Sequence, residues 1–414
     1  MLRDTDSTTW ARFINVATFE SVDAVKEFLH KEKMDKGAFL IKAATLGLIT
    51  PVRKLINANA PIDTKNKEAA TPLLCAAANG HTETVKLLVE ANATVDTQNT
   101  NQLSPLTFAA WRGHLEVAKV LLTANASPDM EDKGSWTPMI YASLKGYTDI
   151  LKALVDARAA VDKKTNEGWS PLTLASFNGY ADAVLILLEA NASIETTKND
   201  NMTSLMFAAS NGYPRVAEVL ISAGADIHAR NLNGYTPLML AASNGNTEVV
   251  KMLIEVKAIV DAKNASGWTS LSMAAHGGHT DCMKILLDAK ASVDERNSHG
   301  LTPLMAAASN GHEEALEILI EAAITASKAH ATPKQTLDAH LQGQDTTQQP
   351  CDQERVNRST NVCATSDCAH HQSPHATETA SLTVLALSNK FLMVVAAAGA
   401  VVVANLFWAS RPRQ

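Results

Sequence analysis

The chain has 414 residues, a net charge of −7 at neutral pH and 46% apolar residues. The acidic balance excludes nucleic acid as the main partner, because phosphate binding needs clustered Lys and Arg. Five Cys, an odd number without paired spacing, point to a reducing compartment rather than a disulfide framework, and the polar stretch Met1 to Trp10 lacks the apolar core of a secretory signal.

Residues 7 to 31 are expected to form a helix pair. Trp10, Phe13, Ile14 and Ala17 recur at helical spacing, as do Val22, Val25, Phe28 and Leu29. Without turn residues of the kind found later, residues 1–35 are assigned as an N-terminal helical capping unit that shields the next apolar face.

A repeat then begins. Its clearest copy is Thr236 to Trp268, TPLMLAASNGNTEVVKMLIEVKAIVDAKNASGW. Thr-Pro supplies an N-cap and a proline at the first helical position, where a missing N–H costs nothing. A short apolar helix is expected from Leu238 to Ser243, a turn at Gly245, a second helix to about Val256, and a polar turn through Asp261, Asn264 and Gly267. The capping Thr or Ser recurs at Thr71, Ser104, Thr137, Ser170, Thr203, Thr236, Thr269 and Thr302, always 33 residues apart. The turn glycine recurs with it, from Gly80 to Gly311, and a degenerate copy starting at Ala38 carries Gly47 in that slot.

A 33-residue period of helix, helix and turn signals a solenoid. With Thr-Pro-Leu, Ala241-Ala242, Asn244-Gly245 and the turn aspartate, the chain resembles the ankyrin-repeat family over residues 38 to 325. The implied fold is all-α: an ankyrin solenoid of helix-turn-helix repeats with β-hairpin-like loops over residues 36–325, about nine repeats of 33. Two departures matter. The histidine usual after Thr-Pro-Leu is replaced by Leu74, Thr107, Ile140, Thr173, Met206, Met239, Ser272 and Met305, which puts its polar bonding between repeats in doubt. The glycine usual after the second helix is Asn59, Asn92, Asn125 and Asn191, the next best left-handed caps, while Arg158, Lys257 and Lys290 in that slot are expected to be mildly strained.

Residues 326–387 lose the apolar periodicity and are assigned as a disordered linker. Phe391 to Ala409, FLMVVAAAGAVVVANLFWA, is uncharged and flanked by Lys390, Arg411 and Arg413. About 20 such residues span a bilayer as a helix, so residues 388–410 are assigned as a single transmembrane tail anchor. The repeats are then expected to face the cytosol, at the endoplasmic reticulum or at a mitochondrial or plastid outer membrane.

No P-loop, nucleophile elbow, zincin or nucleotide-binding fingerprint appears, so an enzyme is not expected and no cofactor is assigned. His276 and His279 are assigned to packing, as are His81, His114 and His312. Cys363, Cys368, His370, His371 and His375 are metal-ligand types without a standard ligand spacing, and no metal site is assigned.

The family resemblance implies that the residue before Thr and the two after the Ala pair face a concave groove. That places Trp111, Arg112, Trp136, Lys145, Trp169, Phe177, Asn178, Met202, Asn211, Tyr235, Asn244 and Trp268 on one surface. Large aromatics and Arg dominate interface energy, and an exposed row of them marks a contact site. The expected function is a membrane-anchored, non-enzymatic scaffold, a monomeric solenoid that binds a protein or peptide in this groove. The Asn row is expected to hydrogen-bond an extended backbone. The alternatives are a chaperone-like receptor for apolar segments of membrane-protein clients, an enzyme subunit, and a methyl-lysine reader whose cage uses Trp136 and Trp169 with Glu131, Asp132 and Glu167 nearby.

Overall fold

The computed structural model describes residues 7–341, with side chains described as far as residue 327. They divide into two compact units, with the boundary between Ser270 and Leu271. Every named element among the described residues is a helix. The only β-type pairing described is an isolated antiparallel bridge between Thr197 and Thr203. The hairpin-like loops are therefore held by isolated hydrogen bonds and not by strands.

Each copy follows the same local logic. Ser104 is extended, its Oγ accepts the Thr107 N–H at 3.1 Å, and Pro105 opens the first helix, Pro105–Arg112. The helix is short because Gly113 takes a left-handed conformation, φ 81°, and turns the chain. The second helix, Leu115–Thr123, buries Val117, Ala118 and Leu121. In the clearest copy the helices are Pro237–Ser243 and Thr247–Glu255, within a residue of expectation.

Within the first unit, first helices pack on first helices of neighbouring copies and second helices on second helices. The Ala pairs make this possible. Ala76, Ala77, Ala109, Ala110, Ala208 and Ala209 are all fully buried, and side chains this small let backbones approach closely.

The turn glycine answers two demands at once. Gly146 has φ 68°, and a Cβ added to it would lie 2.7 Å from the Tyr180 ring of the next copy. Within each unit the residue after the turn glycine thus lies across the preceding copy's turn. His81 Nε2 is 3.0 Å from the Thr45 carbonyl, and Asn246 donates to Ala209 and Ser210 carbonyls at 2.8 and 2.9 Å. In the second unit His312 Nε2 lies 3.0 Å from the His276 carbonyl. These bonds link copies in which the position after Thr-Pro-Leu holds no histidine.

At the N-terminus, helices Ser7–Phe19 and Val22–Lys31 bring Phe13 within 4.5 Å of the Phe39 ring centroid, with Trp10 5.3 Å from both rings. An aromatic cluster thus covers the first helix of the degenerate copy, Lys36–Thr45. At the other end the last helix, Glu313–Leu341, runs past residue 325, where the repeat pattern stops. Its Ala-, Leu- and Glu-rich start favours helix even though the amphipathic periodicity fades. Among the described residues no helix is long and apolar enough to cross a membrane. The segment 391–409 lies outside the described residues.

The cap after the second helix is left-handed throughout: Asn59, Asn92, Asn125 and Asn191 have φ from 56° to 62°, and Arg158, Lys257 and Lys290 have φ of 58°, 69° and 67°. A side chain with a Cβ costs about 1–2 kcal/mol there, part of which glycine returns as unfolded-chain entropy. Arg158→Gly and Lys257→Gly should each stabilise the protein by about 0.5–1 kcal/mol in urea unfolding; a loss of stability would show that these side chains make compensating contacts.

Candidate partner-binding face

The loop tip that carries the residue before Thr is clamped by one side chain. Asp132 Oδ1 accepts from Gly134 N and Trp136 N at 2.8 and 2.9 Å, and the Asp132 N–H donates to the Trp136 carbonyl at 3.1 Å. Asn66, Asn99, Asn231, Asn264 and Asn297 repeat the arrangement, so Tyr235 is held by Asn231 and Trp268 by Asn264, each at 2.9 Å. The short polar side chain stands in for a strand partner. Tips also bond to each other: Asn166 N donates to the Gly134 carbonyl and Ala265 N to Asn233, each at 3.0 Å. Behind them, Asp96, Asp129 and Asp162 accept the backbone N–H of Ser127, Ala160 and Ser193 in the following copy at 2.8–2.9 Å. The backbone beneath the face is therefore fixed before any partner arrives.

On this frame the aromatics form two clusters. In the first, Tyr141 lies between Trp111 and Trp136, with ring centroids 5.9 and 5.1 Å away, and Phe108 is 6.0 Å from Trp111. In the second, Trp169, Phe177 and Phe207 are mutually 5.1–5.6 Å apart. Trp111 and Phe177 are the outermost rings, 37% and 40% exposed, while Trp136, Trp169, Met202, Tyr235 and Trp268 are half-buried.

Three members of these clusters, Phe108, Tyr141 and Phe207, escape the sequence argument. They occupy one column, four residues after the capping Ser or Thr. Tabulating that column alongside the other two would have exposed them.

Tyr141 ties the first cluster to the loop. Its hydroxyl donates to Asp132 Oδ2 at 2.6 Å, so both Asp132 carboxylate oxygens are used. Burial, followed by the neighbouring carboxylate, pushes the Tyr141 hydroxyl well above the usual tyrosine range.

The remaining expected residues divide by role. Arg112 donates to the Ala78 carbonyl at 2.9 Å and lies 5.9 Å from the Phe108 and Trp111 rings. Lys145 is exposed and unpaired. Met202 sulfur accepts from Asn231 Nδ2 at 3.4 Å. The asparagine row is turned toward its own scaffold: Asn178 donates to Leu174 carbonyl at 2.9 Å, Asn211 to Phe177 carbonyl at 2.8 Å and Asn244 to Leu240 carbonyl at 3.0 Å. These nitrogens act first as caps and ties, which leaves less donor capacity for a bound backbone than the sequence implies.

The methyl-lysine cage does not form. Trp136 and Trp169 belong to different clusters, Glu131 pairs with Lys163 at 2.5 Å, and Asp132 is committed to its loop. The chain's own Lys198 ammonium stands 4.6 Å above Trp169. Among the described residues no His, Cys, Asp and Glu group could hold a metal ion. His276 Nδ1 lies 2.8 Å from Asn310 Nδ2, and the Cys and His residues at 351–375 lie outside the described residues.

A family model of ankyrin repeats matches residues 40–132, 122–200, 205–297 and 256–331. The chain belongs to the ankyrin-repeat family. Among solved structures it is similar to the human ASB11 ankyrin repeat domain, with 28% identity, a TM-score of 0.49, and 52% of this chain and 98% of that one covered. No curated protein matches it. Ankyrin repeats generally serve as protein-interaction modules rather than catalysts, and the matched region contains both aromatic clusters.

Tyr141→Phe removes a hydrogen bond to a carboxylate and should cost about 1.5–3 kcal/mol near neutral pH. A tyrosine whose folded pKa is raised stabilises the fold fully below its unfolded value and loses that contribution above it. The gap between wild type and Tyr141→Phe in urea unfolding should therefore narrow above about pH 10; a gap independent of pH would contradict the assignment.

Proposed function

We propose that this ankyrin-repeat protein is a membrane-anchored scaffold whose aromatic face captures a protein or peptide segment, with no catalytic step of its own. The observation that carries the reading is the pair of ring clusters, with Trp111 and Phe177 outermost at the ends of the first helices Pro105–Arg112 and Pro171–Phe177. Preorganised aromatics bind with little loss of conformational freedom. The uncharged Phe391–Ala409 stretch, flanked by Lys390 and Arg411, supports a single-pass anchor with the repeats on the cytosolic side, at the endoplasmic reticulum or a mitochondrial or plastid outer membrane. Tethering raises local concentration, so a modest affinity suffices. A receptor for purely apolar client segments is the second reading; the exposed apolar area of Trp111 and Phe177 favours it, and the cations beside them weigh against it.

The test is affinity capture with the full chain beside Trp111→Ala/Phe177→Ala, both checked for equal melting. These rings are the most exposed of the two clusters, so their removal should leave the fold intact while lowering capture of the main partners by tenfold or more, on the order of two interface anchors. The scaffold reading fails if the folded double variant captures the same partners as wild type. In parallel, deleting residues 388–414 should move the chain from the membrane to the soluble fraction; unchanged fractionation would remove the anchor from the account.

A further inference from the structure

In the first unit the first and second helices of the repeats differ in charge. In the first unit, the complete first helices from Pro72–Ala78 to Pro237–Ser243 contain only two charged residues, Arg112 and Lys145, both basic. The second helices of the same copies carry both signs but more carboxylates than cations: Glu83, Glu116 and Asp182 are paired with Lys86, Lys119 and Arg215, and Asp149, Glu218 and Glu248 are also exposed. The molecule carries −7 overall, so the basic character of the first helices is a local arrangement and not a reflection of composition.

The carboxylates nearest that face are mostly spent. Glu131 is paired with Lys163, Asp132 is bonded to its loop and to Tyr141, and Asp200 accepts the Met202 N–H at 3.2 Å. Glu167 remains exposed at a loop tip, as does Glu68 three repeats earlier. Against it stand Lys133 at a neighbouring tip and Lys145 on the helix, both exposed and without an ion-pair partner, and the Arg112 guanidinium, which uses one nitrogen on the Ala78 carbonyl.

The cations are also placed in register with the rings. Arg112 follows Trp111 directly, Lys145 sits one repeat further along the same column, and Phe177 lies in the column of Trp111 two repeats on. Packed helices stand about 8–10 Å apart, so a segment crossing this face meets Trp111, Arg112, Lys145 and Phe177 within about 20 Å.

We infer that the occupant of the face is an acidic peptide segment: aromatic or aliphatic side chains seated on the Trp111 and Phe177 clusters, and carboxylates between them paired with Arg112 and Lys145. The inference rests on the binding reading above and names the chemistry of its partner. Charge complementarity of this kind sets specificity and speeds encounter more than it adds affinity. It also excludes a basic segment, because half-desolvated like charges repel.

The experiment is to probe a peptide array with the detergent-solubilised full chain. The array holds three sets of random peptides sharing two aromatic positions but enriched in Asp/Glu, in Gln/Ser, or in Lys/Arg. The acidic set should bind about tenfold above the neutral set at low salt, the basic set should not bind, and the preference should shrink as salt approaches 0.5 M. Lys145→Glu, which breaks no described hydrogen bond or ion pair, should abolish the preference for the acidic set and keep the dependence on the aromatic positions. Arg112→Gln serves as a second variant, accepted only if its melting matches wild type. Equal binding of acidic and neutral sets, lost in Trp111→Ala/Phe177→Ala, would overturn the acidic partner while leaving the aromatic face as the binding site. Binding unchanged in that double variant, or no binding to any set, would overturn both.

Discussion

Each copy can bury its apolar residues only against the next copy, and the rest of the structure follows from that dependence. The second helix hides Val117, Ala118 and Leu121, and the first helix hides Ala109 and Ala110, in surfaces that exist only when neighbours are stacked. The period must therefore be held without slip. The turn glycine holds it, because the ring or amide of the following copy rests where a Cβ would be. The aspartates that reach the next copy's N–H groups, and the loop tips that bond in series, fix the same spacing at the other edge.

Regularity beneath leaves freedom above. Once caps, glycines, Ala pairs and Asx clamps set the backbone, the residue types in the columns before Thr and after the Ala pair can differ from copy to copy. There the chain places Trp111, Trp136, Trp169 and Phe177, with Arg112 and Lys145 beside them. The rings pay part of their exposure back by packing on Phe108, Tyr141 and Phe207, which is why only Trp111 and Phe177 stand well out of the surface. Under the proposed function, binding uses the variable members of these columns, while Asn178, Asn211 and Asn244 in the column of Arg112 and Lys145 serve the scaffold.

Helix positions, caps and left-handed Asn residues were legible in the sequence because each obeys a local rule repeated from copy to copy. Thr71, Ser104, Thr137, Ser170, Thr203, Thr236 and Thr302 cap as expected, and Asn59, Asn92, Asn125 and Asn191 turn as expected. What was not legible depends on distance between side chains. Nothing in a one-dimensional pattern says that Trp136 and Trp169 join different clusters, that Tyr141 closes on Asp132, or that Asn178, Asn211 and Asn244 point their nitrogens at carbonyls of their own scaffold. The helix continuing past residue 325 was missed for another reason: propensity sustains it where amphipathic periodicity, the signal being followed, has ended.

The most direct test of the account is site-specific photocrosslinking in the full chain, with the probe at position 111 or 177 on the ring face and at position 116 or 182 on the second-helix face, followed by mapping of the crosslinked partner peptides. The account predicts crosslinks at 111 and 177 to one contiguous partner segment, and none above background at 116 and 182. Crosslinks concentrated on the second-helix positions, with 111 and 177 silent, would contradict it.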